Sequence, residues 1–166
     1  MNVLKHIDKI REYCEYLEDH IENVANAWDE VQDKCSDMKF IYDDFFYATI
    51  DHLVINHDMS KVSHEEFIPY QQKFMPVGES NDELFADAWT NHQYENPHHW
   101  QNWTQIEDTF PDEWVCHCVT MLIDWIAMSY AKGGTAKEYY ESQSDVIVIP
   151  KKAHDFIDEV FKRIYP

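Results

Sequence analysis

The chain has 166 residues, 45% of them apolar and 15% aromatic, enough for one domain with a buried core and too apolar for disorder. A formal charge of −19 repels phosphate backbones, so long nucleic acid is excluded as a partner, while a small anionic substrate is compatible if cations in a pocket reverse the local field. With only three glycines and six prolines, a turn-rich β fold is disfavoured.

Along the chain, residues 3–34 place Val3, Ile7, Ile10, Cys14, Leu17, Ile21, Val24, Trp28 and Val31 at helical spacing. A second helix is expected over about 39–57, with Tyr42, Phe46, Ile50, Leu53 and His57 on one stripe. "SHEE" at 63–66 has the form of a capping box, with Ser63 as cap and Glu66 reaching back, and opens a helix through Phe67, Tyr70 and Phe74. Asn81 caps a helix of roughly 82–95, which "ENP" ends, since the residue before proline disfavours helix. Pro111 suits the first turn of a helix over 111–131. Gly133 and Gly134 end that helix, and "TAKE" at 135–138 is a second capping box. "DVIVIP" at 145–150 reads as extended, and a last helix over 151–164 buries Phe156, Ile157, Val160, Phe161 and Ile164. The expected fold is an all-α, single-domain bundle of six or seven helices spanning 1–166.

The four cysteines, Cys14, Cys35, Cys116 and Cys118, form neither a CxxC pair nor a disulfide framework. The Met1 end has no signal-peptide pattern and no apolar run approaches the length of a membrane span, so a reduced cytoplasmic protein without membrane association is expected.

The ten histidines are more than composition leads one to expect. His20 lies between Leu17 and Val24 on the apolar stripe of the first helix, and His57 ends the stripe of the second. His92 follows Ala88 by four, and Asp124 lies inside "MLIDWIAM". Four helices thus each turn a ligand-type side chain inward, and burying several such groups together points to pairing through a metal. Each has an ordinary reading too: a satisfied core histidine, a salt-bridge aspartate, Asp58 as a helix cap, Lys61 as a surface lysine after a helix end. "CHC" at 116–118 also looks metal-like, but Cys116 and His117 face different directions on a helix. Trp89, Trp100, Trp103 and Trp125 read as core, with a stacking role for one or two as the alternative.

In the order His20, His57–Asp58, His92, His98–His99, Asp124, the chain resembles the HD-domain superfamily of metal-dependent phosphohydrolases, whose signature runs H…HD…H…H…D. "NHDMSK" stands close to that superfamily's HDxGK form, with Ser60 in place of the usual glycine. The resemblance implies an all-α fold and, in a one-metal form, His20, His57, Asp58 and Asp124 as ligands. In a two-metal form Asp58 bridges, and His92 with His99 (or His98) holds the second ion. The ions it implies are Mn, Fe, Ni, Co or Zn, one or two of them. Asp58 and Lys61 would serve catalysis, with Lys61 holding the anionic part of a small nucleotide or other phosphate ester. Asn23, His64, Glu65, Tyr70, His98 and Trp100 are candidates for contacts to substrate or ligands. Some superfamily members with the six-ligand set hold two irons and act as oxygenases, which is the second expectation. A third is a non-enzymatic acidic protein that binds a host protein.

The chain is also similar to a family of small phage and bacterial proteins of uncharacterised function. The likeness rests on "HIENV" (20–24), "HDMSK" (57–61), "EEFIPY" (65–70), "FADAWTNHQYENPHHWQNW" (85–103), "DWIAMS" (124–129) and "GGTAKEYY" (133–140). It implies kinship without an activity, and a host cytoplasm as the compartment if the protein is phage-encoded.

Overall fold

The computed structural model describes residues 3–103 and 112–166, and of Glu113 the backbone alone. Eight α-helices occur among the described residues: α1 (Val3–Lys34), α2 (Lys39–Tyr42), α3 (Asp44–Ile55), α4 (Phe67–Phe74), α5 (Asp82–Glu95), α6 (Asp112–Lys132), α7 (Ala136–Ser142) and α8 (Lys151–Ile164). Short 3-10 turns at Met59–Val62 and Trp100–Trp103 complete them. The all-α expectation holds. No strand occurs among the described residues, and "DVIVIP" is irregular chain with Ile147 buried.

The chain divides into two units. The first comprises Met1–Ile21 and Asp58–Asn96, and the second Glu22–His57 and Pro97–Pro166. The boundaries fall inside α1, between His57 and Asp58, and between Asn96 and Pro97.

In the first unit the apolar cluster is built on Tyr13, Tyr70 and Ala88, flanked by the partly buried Tyr16, Leu17, Phe67, Met75, Phe85 and Trp89. Tyr13 stands edge-on to Phe67 with ring centroids 5.2 Å apart, and Tyr70 edge-on to Phe85 at 5.1 Å. α4 packs along α5, and the Asn81 side chain caps α5 by accepting from Leu84 N at 3.0 Å. The cap expected of Ser63 is not formed. The Ser63 hydroxyl has no hydrogen-bond partner among the described residues, Glu66 is the residue at the helix start, and the Glu66 carboxylate is drawn into the site described below.

The second unit holds the larger cluster, drawn from the later part of α1 and from α3, α6 and α8. Val24, Ile50, Leu122, Ile126, Ile157 and Phe161 are among its members. The single helix expected over 39–57 is broken at Asp43. There the backbone turns extended, and the carboxylate caps α3 by accepting from Phe45 N at 3.1 Å. That break is why eight helices occur and not seven. The start expected at Pro111 lies outside the described residues. Gly133 and Gly134 adopt φ of 80° and 77° at the end of α6, a left-handed turn that favours glycine. The Thr135–Glu138 capping box is present in full.

One expectation is corrected here. The stretch Trp114–Lys132 is long and apolar enough, by length and composition, to cross a membrane. Half of it is buried in the protein, and α6 packs on α3, α7 and α8 as the core helix of the second unit. Asp124, which interrupts the apolar run, masks this property in a reading of the sequence. Cys116 and Cys118 belong to the same core, where burial pushes the Cys116 thiol up to about 11 and the Cys118 thiol higher still. "CHC" is thus a core element, with His117 edge-on to Trp114 at 5.4 Å.

Candidate metal centre

In the first unit the polar groups converge on Asp58. Its backbone sits at φ 54°, ψ 26°, and it is the one non-glycine residue with positive φ among the described residues. Such a conformation is unfavourable for most side chains and tolerated by aspartate, and it gathers at functional sites. The Asp58 carboxylate makes no capping bond to the 3-10 turn that follows. It meets His20 Nε2 at 3.2 Å through Oδ2 and His92 Nε2 at 3.3 Å through Oδ1. Lys61 Nζ donates to Oδ2 at 2.5 Å. The 3-10 turn makes this geometry, since Lys61 N donates to Asp58 O at 2.9 Å and folds the lysine back over the carboxylate.

Behind His92 stands Glu66, fully buried. Its carboxylate accepts from Ser60 Oγ and Asn91 Nδ2, each at 2.9 Å, and from His92 Nδ1 at 2.8 Å. With Nδ1–H committed to Glu66, Nε2 is the nitrogen turned to Asp58. This is the pattern by which a carboxylate fixes the tautomer of a metal-binding histidine. Burial opposes charge on His92, but the hydrogen bonds to Asp58 and Glu66 outweigh it and hold the imidazole pKa above its ordinary value. Glu66 suffers the same opposition from burial, and its donors, His92 first, keep its carboxyl below the ordinary range. Asn96 donates to Ser60 Oγ at 2.7 Å and closes the network.

In the second unit a separate group forms. His57 follows the end of α3, its amide donating to Val54 O at 3.1 Å. Its Nε2 lies 3.6 Å from Asp124 Oδ1 on α6, and its ring stacks on His98 with centroids 4.5 Å apart. The segment carrying His98 is anchored by Trp103 Nε1, which donates to Pro97 O at 2.9 Å. One ligand atom from each of His57, His98 and Asp124 lies within 4.8 Å of the others. Two imidazoles and a carboxylate at this separation can hold a divalent ion, and the donor types suit Zn, Mn, Fe, Co or Ni.

The structure therefore brings His20, Asp58, Lys61 and His92 together in one unit and His57 and Asp124 together in the other. The resemblance implies His99, or His98, as a ligand; within the second unit His98 has a ligand atom within 4.8 Å of those of His57 and Asp124. His99 is half-buried beside it, with ring centroids 4.4 Å apart. Tyr70 lies edge-on to His92 at 5.5 Å and Trp89 stacks on the same ring at 5.7 Å. Trp100 is half-buried against the second unit's core, and Asn23 is half-buried on α1 without a described hydrogen bond. His64 and Glu65 are exposed. Glu66, Ser60, Asn91 and Asn96 were missed. The only local signal available, serine three residues before glutamate, pointed Glu66 to a different role.

No curated protein and no solved structure matches the chain. The expected kinship with a family of uncharacterised function is met: the family of unknown function DUF5662 matches residues 3–164, and the chain belongs to it.

Proposed function

We propose that this chain is a metal-dependent phosphohydrolase of HD-domain type, acting on a small nucleotide or another phosphate ester. The observation that carries the proposal is the His57–His98–Asp124 group, two buried imidazoles and a half-buried carboxylate whose ligand atoms lie within 4.8 Å of one another. A bound divalent ion would lower the pKa of a coordinated water and so supply a nucleophile at neutral pH. The protein's own residues account for the rest. Asp58 offers one oxygen to His20 and the other to His92, and with them would supply a carboxylate to an ion held in the first unit. Lys61 brings an ammonium to a chain with only 13 basic residues, and its side chain is nearly buried, so its charge acts in a medium that screens it little. In this reading Lys61 would hold an anionic oxygen of the substrate. Glu66 holds His92 with Nε2 outward, whatever that nitrogen then binds.

A second reading has its own support. Two histidines and one carboxylate form the ligand set that non-haem iron enzymes use with dioxygen. An iron-dependent oxygenase on this scaffold is therefore the alternative.

Elemental analysis of the purified protein, followed by phosphate release from a nucleotide panel with Mn, Co or Ni, tests the proposal. Near-stoichiometric metal and phosphate release are expected, both lost in His57→Ala and Asp58→Ala. Iron with a mixed-valent electron paramagnetic signal and substrate-dependent oxygen uptake would shift the assignment to the oxygenase. Absence of stoichiometric metal, with a fold that survives both alanine substitutions, would overturn both readings.

A further inference from the structure

The first unit holds a cavity of about 440 Å³, a size suited to a small molecule. The first turn of α1 lends it Lys5 and His6. α4 lends Gln71, and the 76–79 segment beyond that helix lends Pro76, Val77 and Glu79. None of the residues lining it belongs to the network around Asp58 and Glu66.

Three of these side chains have polar groups that the protein itself leaves unanswered. Gln71 is 5% exposed. Its Nε2 donates to Met75 O at 2.7 Å, while its Oε1 accepts no hydrogen bond among the described residues. A buried amide oxygen is ordinarily bonded, so this one calls for a donor in the cavity it lines. Lys5 and Glu79 are exposed, and neither makes an ion pair or side-chain hydrogen bond among the described residues. A cation and a carboxylate thus line one cavity without meeting, which leaves room between them for a molecule that meets both.

The charges narrow what that molecule is. Acidic residues outnumber lysine and arginine by 32 to 13 in the chain, but one lysine faces one glutamate in this lining. A ligand carboxylate repelled elsewhere on the molecule therefore finds an ammonium here. Gln71 Oε1 and the Glu79 carboxylate are acceptors and take N–H groups. A phosphate ester would satisfy Lys5 alone and set its charge against Glu79. A ligand with an ammonium and a carboxylate satisfies all three groups, and an aliphatic part suits Pro76 and Val77.

We propose that this cavity binds a free α-amino acid with an aliphatic side chain. Lys5 holds its carboxylate, and Gln71 Oε1 and Glu79 take its ammonium. The site is independent of the phosphohydrolase reading and stands or falls apart from it.

The probes are L-leucine, L-isoleucine, L-valine and L-methionine, each titrated calorimetrically into the full chain. L-Leucinamide lacks the carboxylate and N-acetyl-L-leucine lacks the ammonium, and both serve as controls. At least one of the four amino acids is expected to bind, and each control about tenfold more weakly than L-leucine, as loss of one charge-assisted hydrogen bond does. Lys5→Met and Glu79→Gln should each weaken the amino acid by a similar factor. Both side chains are exposed and unpaired, so the midpoint of thermal unfolding should not move in either variant. No binding of any of the four at millimolar concentration overturns the proposal. So does affinity unchanged in both variants, or a control that binds as tightly as L-leucine.

Discussion

Glu66 decides which face of His92 is available. A carboxylate with no exposed surface is tolerable only when its charge is met, and here Ser60, Asn91 and His92 meet it within 2.9 Å. Glu66→Gln keeps the shape but sets an amide N–H₂ against His92 Nδ1, which favours the tautomer with the proton on Nε2 and removes the lone pair a metal needs. His92 would hold the second ion that the HD-domain resemblance implies, and affinity for that ion is expected to fall roughly 10- to 100-fold with the helical circular dichroism retained. Wild-type metal affinity in this variant would exclude Glu66 as the residue that orients His92. The sequence shows why this role is hard to see. Ser63 and Glu66 have the spacing of a local cap, a rule that needs four residues only. The true partners, Asn91 and His92, lie 25 and 26 positions away, where no local pattern reaches. The His57–Asp58 doublet was legible because its chemistry is written in two adjacent letters, while the left-handed backbone that turns Asp58 inward is not. His98 and His99 could not be separated for a related reason. They sit on irregular chain before a 3-10 turn, where helical periodicity says nothing about direction.

Helix ends followed the same division between local and distant causes. Asn81 and the Thr135–Glu138 box act within their own first turns and were read correctly. The Asp43 break was not, because Tyr42, Phe46 and Ile50 keep a helical stripe across it, and Tyr42 proves exposed. What joins helices over distance is more often polar chemistry than the stripe reveals. Glu30 on α1 accepts from Lys34 Nζ at 2.5 Å and from the Tyr130 hydroxyl of α6. Burial would raise the Glu30 pKa, yet these two donors, with the Lys34 charge, bring it below 4.5. The folded value lies below the unfolded one, so Glu30 stabilises fully above pH 4.5, and its contribution fades as pH falls through the folded value. Glu30→Gln should cost about 1 kcal/mol at neutral pH, by loss of charged hydrogen bonds that are partly solvated. The deficit should shrink in acid. Urea unfolding of both proteins at pH 7 and pH 3.5 measures this, and a deficit that grows on acidification would contradict the assignment.

At the scale of the molecule, apolar residues gather in two clusters of different character. Interleaved segments make up each unit, and periodicity along the chain carries no mark of that interleaving. The second unit's cluster is aliphatic and broad, with Ile50, Leu122, Ile123, Ile126, Ile157 and Ile164 all buried. The first unit's cluster has three buried members, and its interior is otherwise the hydrogen-bonded network around Asp58 and Glu66. Aliphatic burial contributes roughly 1.5–3 kcal/mol per large side chain. A buried polar network returns far less, since its hydrogen bonds replace those to water. Local opening should therefore be cheaper in the first unit. Hydrogen exchange of the metal-free protein at neutral pH should show the amides of α4 and α5 exchanging before those of α6 and α8. Adding the metal and phosphate should slow exchange in α5, which carries His92, more than in α8. If α6 and α8 instead open first, the aliphatic cluster is not the stable core, and the polar network holds more of the folding free energy than its chemistry allows.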